Sequence, residues 1–453
     1  MEDKIIAEDE LGEWRRTHYS FQISDSVINQ AVTVIGWISS KRDHGNVLFV
    51  QLRDRFGDIQ ILVKKKELSE NIFESLKSLK EHSSIAIRGK VVEQKNSSNK
   101  FEIIPEQIKI LSVSNKSAPF LTQAISSIGI DTRLDLRALD LRRNHLQNVF
   151  KIRNTILNSI REYLSDNYFV EVNTPKMIAT ATEGGAALFP IFYYDREAFL
   201  AQSPQLYKEQ LTMAFENVFE IAPIFRAEPS RTNRHLSEAM SIDVEKAYVD
   251  YKDMMDYLDN LIRHIIKNIS EKNEVELKSL EIELTNVSRP FSRITYSQLV
   301  ENLQNSHKYI RWGDDIAPKL LKDFFGDEFY FITDWPASTK PFYVKSKKTD
   351  PVAGPNTGDD PHVLSESFDL MYGSLELSSG STRINNKDNL MDNMKKKGLS
   401  HQAFDYHLRV FDYGVPPHAG FGLGLERLLM AILKLDNIRD ATFYPRDIDR
   451  LTP

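Results

Sequence analysis

The segment Pro417–Leu428, with the sequence PHAGFGLGLERL, decides how the rest of the chain is interpreted. Glycine occupies every second position from Gly420 to Gly424, which is typical of a strand whose backbone another group approaches closely. The apolar residues that follow have helical spacing and predict a helix from about Leu425. Arg427 would lie in its first turn, where a cation opposes the helix dipole, so we expect an anionic group nearby. The alternative is that the glycines only permit close packing and that Arg427 pairs with a structural carboxylate.

Length and composition describe an ordinary globular protein. The 453 residues predict two or three domains, and 41% are hydrophobic and 27% charged. No apolar run approaches the roughly 20 residues that span a bilayer, so we expect no membrane association and a cytoplasmic protein. The absence of cysteine excludes disulfides and thiolate metal sites. With a net charge of -6, contact with nucleic acid would depend on local basic patches.

The chain order predicts an α+β protein with a small barrel in front of a larger domain. Short strands with one helix after the third indicate an OB-type barrel in residues 1–113, followed by a connector at 114–145. Residues 146–453 mix strands and long helices without βαβ alternation, which favours an antiparallel sheet flanked by helices. Residues 345–361 are predicted to form a mobile surface loop. The predicted barrel strands are Ala31–Ile38, Val47–Asp54, Ile59–Val63, Ser84–Val92, Phe101–Ile104 and Gln107–Leu111, with a helix between Glu67 and Glu81.

A charged hairpin is predicted around residues 221–245. A strand would carry Arg226 and Glu228 two positions apart and therefore on one face. A turn containing Arg234 and His235 follows, and a second strand returns with acidic residues on one face. A buried charged face is costly unless it is paired or binds a ligand. The alternative, a solvated edge hairpin, is weakened by the apolar residues that alternate with the charges.

A second pair of strands, within 368–383, carries acidic residues. We expect Asp369 and Glu376 to lie across from one another, where both would not ionise cheaply. Mg²⁺ shared with a polyphosphate would resolve this, although paired carboxylates are more often bonded to arginine or lysine. With Arg226, Arg383 and Arg427 on separate elements, the pattern predicts a polyanion site with a metal, acting by positioning and charge neutralisation.

These segments resemble the three signature motifs of class II aminoacyl-tRNA synthetases. Motif 1 would be the helix and strand that end in Phe169–Pro175, motif 2 is Phe225–Glu228 with its loop, and motif 3 is Gly422–Arg427. The barrel resembles the anticodon-binding domain of the aspartate/asparagine/lysine subgroup. Residues 201–208 and the closing Tyr444–Pro453 are similar to aspartyl-tRNA synthetases of archaeal/eukaryotic type.

The resemblance implies an ATP- and Mg²⁺-dependent ligase that activates L-aspartate and charges tRNA(Asp), and a homodimer formed through motif 1, with Pro175 at its interface. It assigns Arg226 to the α-phosphate, Glu228 to adenine, and Arg427 with His235 to the γ-phosphate. The implied ATP residues are Arg226, Glu228, Arg234, His235, Glu376 and Arg427. The implied metal ligands are Asp369 and Glu376. The implied aspartate-binding residues are Glu183, Gln205, Lys208 and Arg383, and the implied anticodon contacts are Arg42, Phe49, Gln60 and Glu102.

Lys208 carries the preference for aspartate in this interpretation. With Arg383 it would make the pocket strongly cationic, and a neutral amide would leave buried charge uncompensated. The alternative is that Lys208 pairs with Glu183 or Glu209. For Phe49 the alternative to stacking on a base is a place in the barrel core.

Two departures from the family pattern keep other functions open. Pro229–Arg231 leans toward archaeal asparaginyl enzymes, and Ser381–Asn386 differs from the usual sequence beside the amino-acid pocket. An asparaginyl-tRNA synthetase, or a non-discriminating aspartyl enzyme that also charges tRNA(Asn), is therefore the second hypothesis. A paralogue that binds RNA without ligating is disfavoured because the predicted catalytic residues are all present.

Overall fold

The computed structural model describes residues 6–94, 100–120, 128–180, 188–305, 310–347 and 363–453. The chain divides into two compact units, Met1–Ile130 and Asp131–Pro453. Across the described residues, no helix has the length and apolar character needed to cross a bilayer. The predicted mobile loop at 345–361 lies outside the described residues from position 348 onward.

The first unit contains a closed five-stranded barrel, which confirms the predicted OB-type fold. Its strand order is β1-β2-β3-β5-β4, and only the β3–β5 pair is parallel. Alternate strand residues such as Leu48, Val50 and Leu52 fill the core. The elements are β1 (Ala31–Asp43), β2 (Val47–Arg53), β3 (Asp58–Lys64), α1 (Glu70–Ser78), β4 (Ser84–Glu93) and β5 (Phe101–Ser112).

The last barrel strand differs from its prediction. We expected two strands interrupted at Pro105, but β5 is continuous through this residue. The ladder register shifts between Arg88 and Gly89, so that Gly89 pairs with Pro105. A Cβ on Gly89 would lie 2.2 Å from the Ile104 carbonyl oxygen, so the close approach of the two strands requires glycine. The irregularity accommodates the missing proline N–H without ending the strand.

The second unit is built on an eight-stranded sheet with the order β12-β13-β14-β15-β16-β11-β10-β6. All neighbours are antiparallel except β12–β13 and β10–β6, which confirms the predicted α+β class. A small sheet, β7-β9-β8, lies apart from it. The strands are β6 (Val170–Glu171), β7 (Met177–Ile178), β8 (Pro190–Tyr193), β9 (Arg196–Leu200), β10 (Asn217–Phe225), β11 (Glu238–Ala247), β12 (Ser292–Thr295), β13 (Phe329–Thr333), β14 (Ser367–Tyr372), β15 (Leu375–Thr382) and β16 (His418–Gly424).

Helices supply the apolar residues that cover this sheet. The main core joins α4, α6 and α12 to the sheet through side chains such as Ile156, Leu258 and Leu428. The helices are α2 (Ile130–Asp135), α3 (Arg137–Asp140), α4 (Asn144–Asp166), α5 (Gln205–Phe215), α6 (Tyr251–Lys272), α7 (Glu274–Ser279), α8 (Tyr296–Asn305), α9 (Pro318–Phe325), α10 (Lys387–Lys396), α11 (Asp405–Leu408) and α12 (Leu425–Leu433).

The glycine-rich segment forms strand β16 followed directly by helix α12, as the sequence predicts. A Cβ on Gly420 would lie 2.1 Å from Oε2 of Glu245 and 2.2 Å from the Val244 carbonyl oxygen. A Cβ on Gly422 would lie 3.3 Å from Oδ1 of Asp243. The glycines therefore make room for two carboxylates of the neighbouring strand β11.

One buried arginine ties the start of the second unit to its end. Arg137 donates to the carbonyl oxygens of Thr442 at 2.7 Å, Phe443 at 2.8 Å and Arg439 at 3.1 Å, and to Asp140 at 2.7 Å. Since the side chain is 1% exposed, each N–H needs such an acceptor. Arg137 thereby fixes α3 against the C-terminal segment.

Candidate active site

A cavity of about 330 Å³ opens on the large sheet of the second unit. Its walls come from α5, β11, β15, β16 and α12 and from the segments that follow β10 and β13. Of the residues predicted for the ATP, metal and amino-acid sites, eight line this cavity: Gln205, Lys208, Arg226, Arg234, His235, Glu376, Arg383 and Arg427. Asp369 lies on β14, beside the wall that carries Glu376, and Glu183 is outside the described residues.

Arg226 and Glu228 do not share a strand, so that prediction is wrong. Strand β10 ends at Phe225, and only the backbone N–H of Arg226 still bonds across the hairpin, to the Ser237 carbonyl oxygen at 2.8 Å. Pro229 has no N–H to continue the ladder. Arg226 lines the cavity, whereas Glu228 is exposed and absent from its wall.

Arg427 meets the acidic strand from the first turn of α12. Its Nη1 donates to the backbone carbonyl oxygen of Glu376 at 3.0 Å. Burial lowers the pKa of Arg427, the nearby Glu376 carboxylate opposes this effect, and Arg226 and Arg234 add to it. The anionic group expected beside this arginine is therefore Glu376.

His235 lies among the same cations. Its Nδ1 is 2.5 Å from the hydroxyl of Thr232. Burial, followed by the charges of Arg427 and Arg226, lowers the pKa of this imidazole. A neutral His235 beside three arginines keeps a hydrogen-bonding group in the site without adding a positive charge.

The two predicted metal-binding carboxylates are close but not directly opposite. Glu376 pairs with Met371, two residues after Asp369, and a register shift between Leu370 and Met371 then pairs Asp369 with Ser379. Desolvation by the surrounding protein, and then the charge of Asp369, raise the pKa of Glu376, although the residue itself is exposed at the cavity. The two groups therefore interact, as a pair of acids sharing one cation would.

Lys340 neutralises Asp369, which the sequence interpretation did not foresee. Its Nζ lies 3.0 Å from both carboxylate oxygens. Across the described part of the chain, no group of three or more histidine, aspartate or glutamate side chains could hold a metal by itself. The donor set still fits Mg²⁺, which usually takes one or two protein carboxylates and completes its shell with water and substrate phosphates.

Lys208 and Arg383 belong to a buried group of four charges. Lys208 Nζ lies 3.1 Å from Asp243 and 3.3 Å from Glu245, and Arg383 donates to the Glu245 carboxylate from Nε at 2.9 Å and Nη2 at 3.2 Å. Two cations and two carboxylates make the group neutral. The prediction of uncompensated positive charge is therefore wrong, and Lys208 also does not pair with Glu209.

Within the part of the chain that the structure describes, the donors of this group without an acceptor belong to Arg383. Lys208 has three N–H groups, and Asp243, Glu245 and the Phe421 carbonyl oxygen surround it. The five N–H groups of Arg383 make three bonds, two to Glu245 and one from Nη1 to the Ser381 hydroxyl at 2.5 Å. Among the described residues, one N–H on each terminal nitrogen has no acceptor. Two donors on one planar guanidinium suit the two oxygens of a carboxylate, and this pair of donors is called the fork below.

Gln205 is held in place by a buried glutamate, Glu209, on the same helix. Its Nε2 donates to Glu209 at 2.6 Å, and the other Glu209 oxygen lies 3.6 Å from Nε2 of both His407 and His418. Burial would raise the pKa of Glu209, but the two imidazoles lower it, and the carboxylate raises the pKa of His418 against the effect of burial. An ionised Glu209 fixes the Gln205 amide through its Nε2 group.

The barrel carries the four residues predicted to contact an anticodon. Phe49 is half-buried and outside the barrel core, so the core alternative does not hold. Arg42 is its cross-strand neighbour. Gln60 and Glu102 are buried, and they join a polar ladder that Gln51 completes: Gln51 donates to Gln60, and Gln60 donates to Glu102, each at 3.0 Å.

Two families match this chain. The description "tRNA synthetases class II (D, K and N)" applies to residues 129–448, and "OB-fold nucleic acid binding domain" applies to residues 32–111. The chain belongs to the class II tRNA synthetases of the D, K and N group. Members of this family use ATP, and the cavity described above lies wholly within the matched residues.

Curated relatives match over almost the whole length of the chain. An aspartate–tRNA(Asp/Asn) ligase of Methanococcus aeolicus is 44% identical over 98% of this chain and 99% of its own length. A ligase of the same name from Methanocaldococcus jannaschii is 43% identical over 97% of this chain and 99% of its own length.

Solved structures of the same group include enzymes for both amino acids. An asparaginyl-tRNA synthetase from Pyrococcus horikoshii complexed with asparaginyl-adenylate has a TM-score of 0.88 and 31% identity, over 97% of this chain and 100% of its own. An aspartyl-tRNA synthetase from Entamoeba histolytica has a TM-score of 0.82 and 29% identity, over 96% of this chain and 92% of its own.

Proposed function

We propose that this chain is an aspartate–tRNA ligase. It joins L-aspartate to ATP as aspartyl-adenylate and then transfers the aspartyl group to the 3′ end of tRNA(Asp). The observation that carries the proposal is the single cavity in which Arg226, Arg427 and Glu376 adjoin the carboxylate fork of Arg383. The names of the curated relatives support the same reaction.

In the first step an α-carboxylate oxygen of aspartate attacks the α-phosphorus of ATP, and the bond to the β-phosphate breaks, releasing pyrophosphate. Arg226 neutralises charge on the α-phosphate, and Arg427 and Arg234 hold the outer phosphates with neutral His235. Glu228, from its exposed segment, accepts from the adenine amine. Three cations that line one cavity account for catalysis by charge neutralisation, without a covalent nucleophile.

Asp369 and Glu376 would hold Mg²⁺, which supplies Lewis-acid stabilisation of the phosphates when bound. Lys340, which bonds Asp369 and lines the same cavity, is itself a cation suited to substrate phosphate oxygens. The raised pKa of Glu376 suits a carboxylate that gains a cation only with substrate.

Arg383 supports the choice of aspartate. Its remaining fork presents two donors, and both oxygens of a substrate side-chain carboxylate can accept them. An asparagine side chain would place its NH₂ group against one donor, which leaves a buried donor without an acceptor. Lys208 holds Glu245 and Asp243 in place beside this fork, and Gln205 offers its amide oxygen to the substrate ammonium, to which Glu183 is also assigned.

In the second step a ribose hydroxyl of the terminal tRNA nucleotide attacks the activated carbonyl carbon, loses its proton, and AMP leaves. We assign the barrel to the anticodon, with Phe49 stacking on a base and Arg42, Gln60 and Glu102 meeting base edges or backbone. Charging of tRNA(Asn) as well is supported by the Asp/Asn names of the relatives.

We also propose a homodimer formed through motif 1, acting in the cytoplasm where translation takes place. Strand β6 is the edge of the large sheet, and apolar side chains on and after it are exposed, including 41% of Val170 and 56% of Met177. Pro175 is exposed between them. An exposed apolar edge strand is the kind of surface that a second copy covers.

The alternative is an asparaginyl-tRNA synthetase, which the neutral charge of the Lys208–Arg383 group and the Pyrococcus structure favour. Pyrophosphate exchange with purified chain, ATP and either amino acid decides between them. Exchange with aspartate and charging of tRNA(Asp) are expected. Exchange with asparagine alone would reject aspartate, and no exchange with either would favour an RNA-binding paralogue.

A further inference from the structure

The barrel carries a second aromatic surface that the proposed anticodon contacts do not use. It consists of Arg16, Tyr19, Phe21, Arg55 and Phe56 and is called the aromatic patch below. Phe21 is 62% exposed and Phe56 43% exposed, and neither belongs to the barrel core. The ring centroids of Phe21 and Phe56 are 4.5 Å apart, and Tyr19 lies 5.0 Å from Phe56. A single exposed aromatic is ordinary, but two exposed rings in contact with each other and with the half-buried Tyr19 form a surface suited to a partner.

Hydrogen bonds to one buried carboxylate hold this surface in place. Asp54 accepts from the backbone N–H of Ser20 at 2.6 Å and from its hydroxyl at 2.8 Å. The same carboxylate accepts from the backbone N–H groups of Phe56 at 2.8 Å and Gly57 at 3.2 Å. Because Asp54 binds both ring-bearing segments, the rings are presented on a fixed backbone.

The aromatic patch is also cationic. The Arg16 guanidinium lies 4.4 Å from the Tyr19 ring centroid and is anchored by a 2.6 Å bond to the Ile35 carbonyl oxygen. The Arg55 guanidinium lies 5.0 Å from the Phe56 ring centroid. Among the described residues, neither arginine forms an ion pair with a carboxylate. Their charge is therefore available to an anionic partner.

The aromatic patch lies next to the strands that we propose to contact the anticodon. Arg55 and Phe56 form the turn between β2 and β3, and Gln60 follows four residues after Phe56, near the start of β3. Gln60 is paired in parallel with Glu102, so the turn lies at the end of the barrel where β5 begins. In OB folds the face of these strands and the loop before β5 bind oligonucleotides.

We propose that the aromatic patch is a second RNA contact of the barrel, where unpaired bases of the bound tRNA stack on Phe21 and Phe56 while Arg55 and Arg16 meet adjacent phosphates. Aromatic rings interleaved with unpaired arginines are the combination that binds single-stranded nucleic acid without reading its sequence. The phosphate backbone of RNA offers these cations a much denser negative charge than a second copy of the chain, whose net charge is only -6 over 453 residues. The inference rests on the proposed function only in taking tRNA as the RNA.

The test measures tRNA binding by the full-length protein. The double variant Phe21→Ala/Phe56→Ala should raise the Kd for an unmodified tRNA(Asp) transcript about 10-fold or more, whereas Phe21→Tyr/Phe56→Tyr, which keeps both rings, should bind normally. Arg55→Ala should lower the slope of log Kd against log salt by roughly 0.7–0.9 per phosphate lost. Phe324→Ala, which removes an exposed phenylalanine of the other unit, is the matched control.

Aspartate-dependent pyrophosphate exchange should be equal in all these variants, because the patch is outside the adenylation cavity. An unchanged Kd in the double alanine variant would overturn the inference. A changed sedimentation coefficient with unchanged tRNA binding would overturn it too, since the patch would then be a protein contact. If the unaltered chain shows no exchange but the patch variants still lose RNA affinity, the proposed function fails and the RNA contact stands.

Discussion

Replacing Arg383 with lysine tests the amino-acid choice most directly. Lysine keeps the charge but has no planar fork, so one of the two hydrogen bonds to a substrate carboxylate is lost. A charge-assisted hydrogen bond contributes about 1.5–3 kcal/mol, which corresponds to an about 10- to 150-fold loss of kcat/KM for aspartate. A single ammonium can still donate to the asparagine side-chain oxygen, so activity with asparagine should fall less. The ratio of the two kcat/KM values should therefore fall at least 10-fold.

The assay is pyrophosphate exchange with each amino acid at saturating ATP. Thermal unfolding must accompany it, because Arg383 also holds Glu245 through Nε and Nη2, and the variant loses part of that pairing. Arg293→Lys is the matched control, since this arginine pairs with Asp256 at the surface. A folded Arg383→Lys protein that keeps the original aspartate-to-asparagine ratio would refute the argument from the fork.

Three further outcomes are expected. Arg427→Ala should abolish pyrophosphate exchange without unfolding the chain, which circular dichroism and exchange assays would show together; retained exchange would remove it from the ATP site. Phe49→Ala should raise the KM for tRNA while leaving exchange intact, because Phe49 is outside the barrel core, and loss of both would mean a structural role. Glu376→Gln should stabilise the metal-free protein at pH 7 but not below pH 4.5: the folded pKa of Glu376 is raised above this ordinary value, so its stabilising protonated form is lost as pH rises. An equal difference in melting temperature at both pH values, measured in EDTA, would contradict this.

Features that depend on short-range pattern could be predicted from the sequence. The β16–α12 boundary at Leu425 follows from the change from alternating glycine to helical spacing, and the barrel follows from short alternating strands. Local irregularities could not be predicted in the same way. The bulge between Leu370 and Met371 shifts the cross-strand partner of Asp369 by one residue, to Ser379. No residue type in that hairpin predicts such a shift.

The sequence did not show which charged side chains form ion pairs with one another. Asp243 and Glu245 were visible as acids on one face of a strand, but their pairing with Lys208 and Arg383 depends on β11 lying beside β16 and under α5. The tertiary fold alone sets such pairings, and each changes what a residue can do.

Because the fold sets these pairings, the sequence and the structure assign the selection of aspartate to different residues. The sequence assigns it to Lys208, and the structure favours Arg383. The sequence makes Lys208 the residue that selects aspartate on the assumption that no carboxylate of the chain neutralises this lysine. In the fold Lys208 is surrounded by three acceptors, whereas Arg383, after binding Glu245 and Ser381, keeps two donors that no described residue accepts. Since net charge is neutral in this group, it gives little preference for an acid over an amide. The preference must come from donor geometry, which a planar guanidinium fixes and a rotating ammonium does not.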